Sequence, residues 1–371
     1  MRIAILTQPL RYNYGGILQN FALQIILRRK GHEVVTLDPQ RYNFHWWQYL
    51  YKALHLFLDR YILRKRRWSL STKWKVDKTI RLLGKNTFRF IDNYINRREY
   101  LNLKSEIKPS DYDAFIVGSD QVWRPEYNMN IKNMFLDFTK NWNVKRIAYA
   151  ASFGIESWEC EAETTEICKC MLKLFDFISV RESSGVKLCK EIFDVDAIHV
   201  LDPTMLLTKE DYCSLFRLGR IPKSQGDLLV YFLDYTDDKK KLVQSIADDY
   251  QLSPFRVNSD VEDYNLTDLN RRIQPPIEQW LRGFYDAKYV LTDSFHACVF
   301  SIIFGKPFVV YANDKRGKSR YESLLQQFSL QNCMITSSNG FTGFSRFMHE
   351  SNKILIEQRE RCINKLINSL K

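Results

Sequence analysis

The chain has 371 residues, 45% hydrophobic and 26% charged, which excludes a disordered or fibrous polymer and is enough for two α/β domains with full cores. Its formal net charge of +12 points to anionic partners: phosphate-bearing substrates, a lipid surface or nucleic acid. No run of 18 uncharged apolar residues exists to cross a membrane, and "MRIAILTQPL" reads as a first strand because it lacks a signal peptide's apolar length and cleavage site.

"RIAILT" (2–7) is a buried strand. "NYGGILQNFALQIILRRKG" (13–31) follows as a glycine turn and a helix, with Ile17, Leu18, Phe21, Ile25 and Leu27 at helical spacing and Gly31 as the stop. "HEVVTLD" (32–38) completes a βαβ unit, the opening of a doubly wound domain. The stretch 41–76 interrupts that rhythm with ten aromatics and nine Lys/Arg against one acid, and 41–105 is expected to be a helical insertion. The pattern resumes with "YDAFIVGSDQVW" (112–123), "KRIAYAASFG" (145–154), a helix around 162–174, "FDFISVRESSGVKLCKEIF" (175–193) and the strand "AIHVLDPTMLL" (197–207).

A second unit opens with the strand "DLLVYFLDY" (227–235) and the helix "KKKLVQSIADDY" (239–250). "PPIEQWLRGFYDAKYVLTDS" (275–294) is a helix and a strand. "LTDSFHACVFSIIFGKPFVVY" (291–311) is a strand end, a polar turn, an apolar helix, a glycine stop and another strand. The last helix, about 345–371, is amphipathic and is expected to fold back on the first domain. The pattern implies two Rossmann-like domains facing across a cleft in a GT-B-like arrangement, divided as 1–205, 206–344 and the terminal helix 345–371. The eight cysteines are scattered, and the one close pair, "CKC" at 168–170, has no neighbouring histidine to complete a zinc site. No metal is expected, and the thiols are read as reduced in a cytoplasmic protein.

Four loops fall at the carboxyl ends of expected strands: "YNYGG" (12–16), "GSDQVW" (118–123), "SVRESSG" (179–185) and "TDSFH" (292–296). Each alone has a structural explanation. Gly15 and Gly16 permit a tight turn, Asp120 is a turn or cap residue, Arg181 pairs with a nearby acid, and Asp293 or Ser294 caps the helix that His296 enters. Together they lie where open α/β sheets bind ligands. A histidine at a helix start after a strand faces free N–H groups and a positive dipole end, a setting for an anion.

In "YNYGGILQNFALQ", "FIVGSDQVW", "YAASFG", "ISVRESSGV", "VLDPTMLL", "TDSFHACVFSIIFGKPFVV" and "KSRYESLL", the chain resembles the polysaccharide pyruvyl transferases over roughly 1–40 and 110–330. The resemblance implies a reaction in which phosphoenolpyruvate, the donor substrate in place of any cofactor, gives its enolpyruvyl carbons to two hydroxyls of one sugar, forming a cyclic ketal and releasing phosphate. It implies that His296 is the acid/base and that Arg181 holds the donor. Phe295 and Ser294 border the donor, and Lys306, Arg316 and Arg320 are candidate phosphate contacts or solvated surface cations. Asn13, Tyr14, Gly15, Asp120, Gln121 and Trp123 are expected on the acceptor side or cleft rim. The chain has "FHA" where many relatives have His-Gly, so Ala297 places a methyl group beside the site.

Two other functions fit parts of the sequence. A GT-B glycosyltransferase using a nucleotide sugar would share the fold. A non-enzymatic binder of nucleic acid would explain the charge, but the basic excess is concentrated in 41–76 and no nucleic-acid motif is present, so nucleic acid is not an expected partner. The stretch 41–76, with Trp46, Trp47 and "RKRR" (Arg64, Lys65, Arg66, Arg67), reads either as a helical hairpin packed on the core or as a segment lying on the inner membrane face. The second reading suits a glycan acceptor on a polyprenyl diphosphate.

Overall fold

The computed structural model describes residues 1–39, 79–128, 130–259, 268–312, 318–344 and 348–371. Trp46, Trp47, Arg64, Lys65, Arg66, Arg67 and Arg316 lie outside the described residues.

The first sheet is built from short parallel strands; the central ones are apolar runs buried on both faces, as parallel strands between helices must be, and the two edge strands are only partly buried. They are β1 (Arg2–Leu6), β2 (Glu33–Pro39), β3 (Arg97–Tyr100), β4 (Ala114–Val117), β5 (Lys145–Ala151), β6 (Phe177–Val180) and β7 (Ile198–His199). Among the described residues their order is β3-β2-β1-β4-β5-β6-β7, every pair parallel. The second sheet holds β8 (Leu228–Tyr231), β9 (Pro254–Phe255), β10 (Tyr289–Thr292), β11 (Phe308–Tyr311) and β12 (Met334–Ile335) in the order β12-β11-β10-β8-β9. Strand order reverses between β1 and β4 in one sheet and between β8 and β10 in the other. At such a switch point the loops leave in opposite directions and open a crevice at the carboxyl edge. The fold is therefore α/β, with two Rossmann-like sheets in the GT-B-like arrangement.

Helix α1 (Tyr14–Arg29) follows β1 and is buried from Tyr14 through Gln24 without a break. Strand β2 covers one side and the 3₁₀ turn Pro203–Leu206 another, and the polar Gln19, Asn20 and Gln24 are buried with the helix's apolar residues through hydrogen bonds to Thr7 and Thr36. Helices α2 (Lys85–Tyr94), α3 (Ala162–Leu172) and α4 (Ser183–Glu191) complete the first half, and α5 (Lys209–Leu218) packs on Ile277–Asp286 of the second. In the second half come α6 (Asp237–Asp249), α7 (Ile277–Asp286), α8 (Phe295–Phe304) and α9 (Lys318–Gln327). All ten residues of α8 are buried.

One core runs through both halves. The Tyr14 ring meets Trp280 at 5.4 Å in a tilted contact, and its hydroxyl donates to the Pro275 carbonyl at 2.7 Å. Trp280 and Tyr212 both meet Phe300, at 4.8 and 5.0 Å. Truncating a ring at this centre costs about 3–5 kcal/mol. The last helix, α10 (Met348–Ser369), buries Met348, Ser351, Leu355, Cys362 and Leu366 against α8 and the 3₁₀ turn. Arg359 Nε donates to the Met205 carbonyl at 2.8 Å, and Leu201 N donates to Cys362 Sγ at 3.5 Å.

Two expectations need correction. The segment 41–105 is not helical throughout: Arg97–Tyr100 is β3, the edge partner of β2, with Thr36 in register with Arg97. Arg97 bonds Asp38 and Asp92, which gives this charged stretch a reason to sit at a sheet edge. The strand expected over 197–207 stops at His199. Asp202 instead caps the 3₁₀ turn, because Pro203 has no N–H for a ladder. No helix among the described residues is long and apolar enough to cross a membrane.

Candidate active site

Two helix starts meet where the crevices face each other. Asn13 caps α1, accepting from Gly16 N at 3.3 Å. Ser294 is the N-cap of α8 but makes no side-chain cap bond, so the first N–H groups of α8 are left for another acceptor. Asp293 does not cap the helix either. It accepts from Leu233 N at 2.7 Å, Asp234 N at 3.1 Å and Lys239 Nζ at 2.5 Å, and so ties the loop after β8 to the loop after β10.

His296 is the second residue of α8 and is buried. Its ring lies on Gly15: a Cβ added there would sit 2.0 Å from Nδ1 and 2.2 Å from Cγ. The need for glycine at 15 is thus space for this imidazole, not a tight turn. The loop after β4 brings Asp120 over α1, since a Cβ on Gly16 would meet Asp120 Oδ2 at 3.2 Å. Asp120 holds a left-handed φ of 76°, an uncommon conformation for a residue other than glycine, and it bonds Gln121 N at 2.9 Å.

Asp202 is the hub. Its Oδ2 accepts from Arg181 Nη1 at 2.9 Å and from Ser119 Oγ at 3.1 Å, and faces His296 Nε2 at 3.7 Å. That last distance is within ion-pair range and beyond a hydrogen bond. Oδ1 accepts from Thr204 N at 3.0 Å and Thr204 Oγ1 at 2.7 Å. Burial pushes the Asp202 carboxyl up, but His296, Arg181 and Thr204 outweigh it and hold the group well below the usual carboxylate range.

Arg181 is buried. Burial alone would pull its pKa down, but Asp202, Asp120 and Glu182 together raise it. Among the described residues, only Nη1 is hydrogen-bonded. Nε and Nη2 are buried with no hydrogen-bond partner among the described residues, and Nη2 stands 3.8 Å from Asp120 Oδ1. These two N–H groups form one edge of the guanidinium fork, the geometry that grips a carboxylate or phosphate. Phe295 lies between two cations: Arg181 Cζ is 4.6 Å and Arg320 Cζ 5.6 Å from its ring centre. Arg320 is buried, and burial and Arg181 lower its pKa. The arrangement is a buried cluster at two helix starts, in which Arg181, Arg320 and His296 meet the acids Asp120, Glu182 and Asp202.

His296, Arg181, Phe295, Ser294, Asp120, Asn13, Gly15 and Arg320 therefore come together. Arg320 is held against Phe295 and is not a solvated surface cation. Gln121 lies at the rim, its side chain packed on Gly154, where a Cβ would be 2.0 Å from its Oε1. Three expected residues are elsewhere. Trp123 is fully buried, donating Nε1 to the Met134 carbonyl at 2.9 Å and stacking on Phe135. Tyr14 is spent on the Trp280 and Pro275 contacts. Lys306 follows the far end of α8 and donates to the Tyr285 carbonyl at 2.8 Å; burial and Lys209 lower its pKa. Sequence reasoning assigned no role to Asp202 or Ser119, and read Glu182 only as a surface acid that Arg181 could pair with. "LDP" did carry a signal, an Asp before Pro after a strand, which reads as a cap.

The sequence model of the polysaccharide pyruvyl transferase family matches residues 13–315. No curated protein matches the sequence. Among solved structures, the chain is similar to UDP-GlcNAc 2-epimerase from Neisseria meningitidis bound to UDP-GlcNAc, with 11% identity, TM-score 0.51 and 100% and 99% of the two chains covered. It is also similar to Arabidopsis thaliana UGT89C1 complexed with UDP-L-rhamnose, with 9% identity, TM-score 0.52 and 98% of each chain covered. At such identities the likeness concerns the fold alone.

Proposed function

Because the chain belongs to the polysaccharide pyruvyl transferase family, we propose that it is a ketal pyruvyltransferase. It moves the enolpyruvyl group of phosphoenolpyruvate onto two hydroxyls of one sugar in a bacterial surface polysaccharide or its lipid-linked precursor. The observation that carries this reading is the free edge of Arg181: two buried N–H groups with no hydrogen-bond partner among the described residues, beside Arg320 and a helix start. An unsatisfied buried donor pair costs free energy that a bound carboxylate or phosphate recovers. Phosphoenolpyruvate carries both anions.

The chemistry follows from the donor. A proton added to the methylene carbon makes it a methyl group and leaves an oxocarbenium-like centre at C2. One sugar hydroxyl attacks C2, the C2–O bond to phosphate breaks, and the second hydroxyl closes the ketal. Of the two hydroxyl protons released, one balances the new methyl C–H and the other leaves with phosphate. His296 is proposed to carry these protons, as an imidazole serves as acid and base near neutral pH.

Two features favour this donor over a nucleotide sugar. The loops after β8 and β10, which flank the second sheet's crevice, are hydrogen-bonded to each other through Asp293. The cations gather instead around α1 and α8. Phosphate release from phosphoenolpyruvate with a panel of lipid-linked sugars is the test. Nucleotide release from a sugar nucleotide, without phosphoenolpyruvate turnover, would replace this reading with the glycosyltransferase one. The acceptor is proposed to be polyprenyl-diphosphate-linked, with the enzyme cytoplasmic and 41–76 at the inner membrane face. Replacing Arg64, Lys65, Arg66 and Arg67 with Gln should then reduce binding to anionic vesicles and spare a short soluble acceptor.

A further inference from the structure

The two ring nitrogens of His296 stand in opposite surroundings. Nε2 is buried, has no hydrogen-bond partner among the described residues, and lies 3.7 Å from Asp202 Oδ2. The Asp202 carboxylate is buried and anchored, with Thr204 on one oxygen and Arg181 and Ser119 on the other. A nitrogen lone pair turned toward such a carboxylate is repelled, whereas an N–H is attracted, and burial strengthens both effects. Nδ1 borders Gly15, 2.0 Å from where a Cβ would be. Gly15 is the second residue of the 16-residue α1, whose first N–H groups and positive dipole end favour an acceptor nearby and disfavour another N–H.

We infer that Asp202 and the start of α1 together fix the neutral His296 ring as its Nε2–H tautomer, leaving Nδ1 as the nitrogen that exchanges the proton, and that Asp202 is the positioning residue for this choice. The carboxylate belongs to the first domain and the histidine to the second, so the tautomer is set only when the two halves are docked. The assignment of Nδ1 to the reaction rests on the pyruvyl-transfer reading; the tautomer does not.

Nitrogen NMR of the ¹⁵N-histidine-labelled full chain tests the tautomer directly, at a pH where the ring is neutral, with the His296 signals identified by their loss in His296→Ala. The expected spectrum has protonated Nε2 and unprotonated Nδ1. An even mixture or a protonated Nδ1 overturns the inference. Asp202→Asn should blur the tautomer and lower kcat by about 10²–10⁴-fold, with the KM for phosphoenolpyruvate changed less than kcat. A folded Asp202→Asn with the wild-type ring spectrum and kcat overturns the part given to Asp202. If that variant does not fold, Thr204→Val, which removes only the hydroxyl holding Oδ1, is expected to mix the tautomers. An unchanged spectrum there overturns Asp202's role. A wild type that releases no phosphate from phosphoenolpyruvate would instead remove the proposed reaction while the spectrum still decides the tautomer.

Discussion

Lys239–Asp293 in the second domain and Arg181–Asp202 in the first are both buried ion pairs at the carboxyl edge of a parallel sheet. The Lys239 pair is complete. Its ammonium reaches Asp293 and the Asp234 carbonyl and lies near the rings of Phe232 and Tyr311, and its carboxylate also takes two backbone N–H groups. The Arg181 pair is not: two guanidinium N–H groups and one imidazole nitrogen beside it are buried without hydrogen bonds among the described residues. Buried charge is tolerated when its bonds are completed from within, so an incomplete remainder marks where something from outside completes them.

The comparison breaks first at His296. His296→Ala should lose about 10²–10⁴-fold in kcat with little change in melting temperature, measured by phosphate release and thermal unfolding. Near-wild-type turnover would return the unfinished pair to a structural role. The finished pair should behave the other way. Lys239→Met leaves Asp293 buried without its cation and should destabilise the fold by about 3–5 kcal/mol, read by urea unfolding, while turnover per folded molecule changes far less. Arg181→Lys keeps the charge opposite Asp202 and loses the fork. It should cost about 1.5–3 kcal/mol of donor binding, seen as a raised KM or Kd for phosphoenolpyruvate.

The smallest effect is a pH dependence. The folded Asp202 carboxyl is held well below its unfolded value. Its stabilising contribution is therefore fully present above the ordinary aspartate pKa of about 3.9 and is lost as pH falls toward the folded value. The stability gap between wild type and Asp202→Asn should stay level from pH 7 to about 5 and narrow by at most about 1.4 kcal/mol per pH unit below about 4. A gap that already closes between pH 7 and 5 would mean that Asp202 is not held in its charged form.

The alternation of strands and helices was readable because periodicity is local: "RIAILT" and "HEVVTLD" carry their own burial pattern, and the glycine stops stand beside the helices they end. Arg181 and His296 were readable as loop residues at strand ends and through the family resemblance. Asp202 was quoted in its motif without a role, because its partners come from "SVRESSG" and "TDSFH" and only the fold brings the three together. Trp123 and Tyr14 misled for the reverse reason. They sit in the right loops, yet their side chains point into packing that sequence spacing cannot show. Gly15 looked like a turn residue because the ring it makes room for arrives from the other domain. Lys306 follows the helix that His296 begins, past its opposite end.

The helix beneath the Asp202 turn adds an order of events during synthesis. Leu201 and Met205 flank Asp202, and they are bonded to Cys362 and Arg359, which follow 161 and 154 residues later in the chain. At a translation rate of about 5–20 residues per second, the first domain waits many seconds on the ribosome with Arg181 and Asp202 already made and their support still missing. The nascent first half is therefore a stage in which a buried charge pair stands half-clothed, and the late helix is the step that commits it.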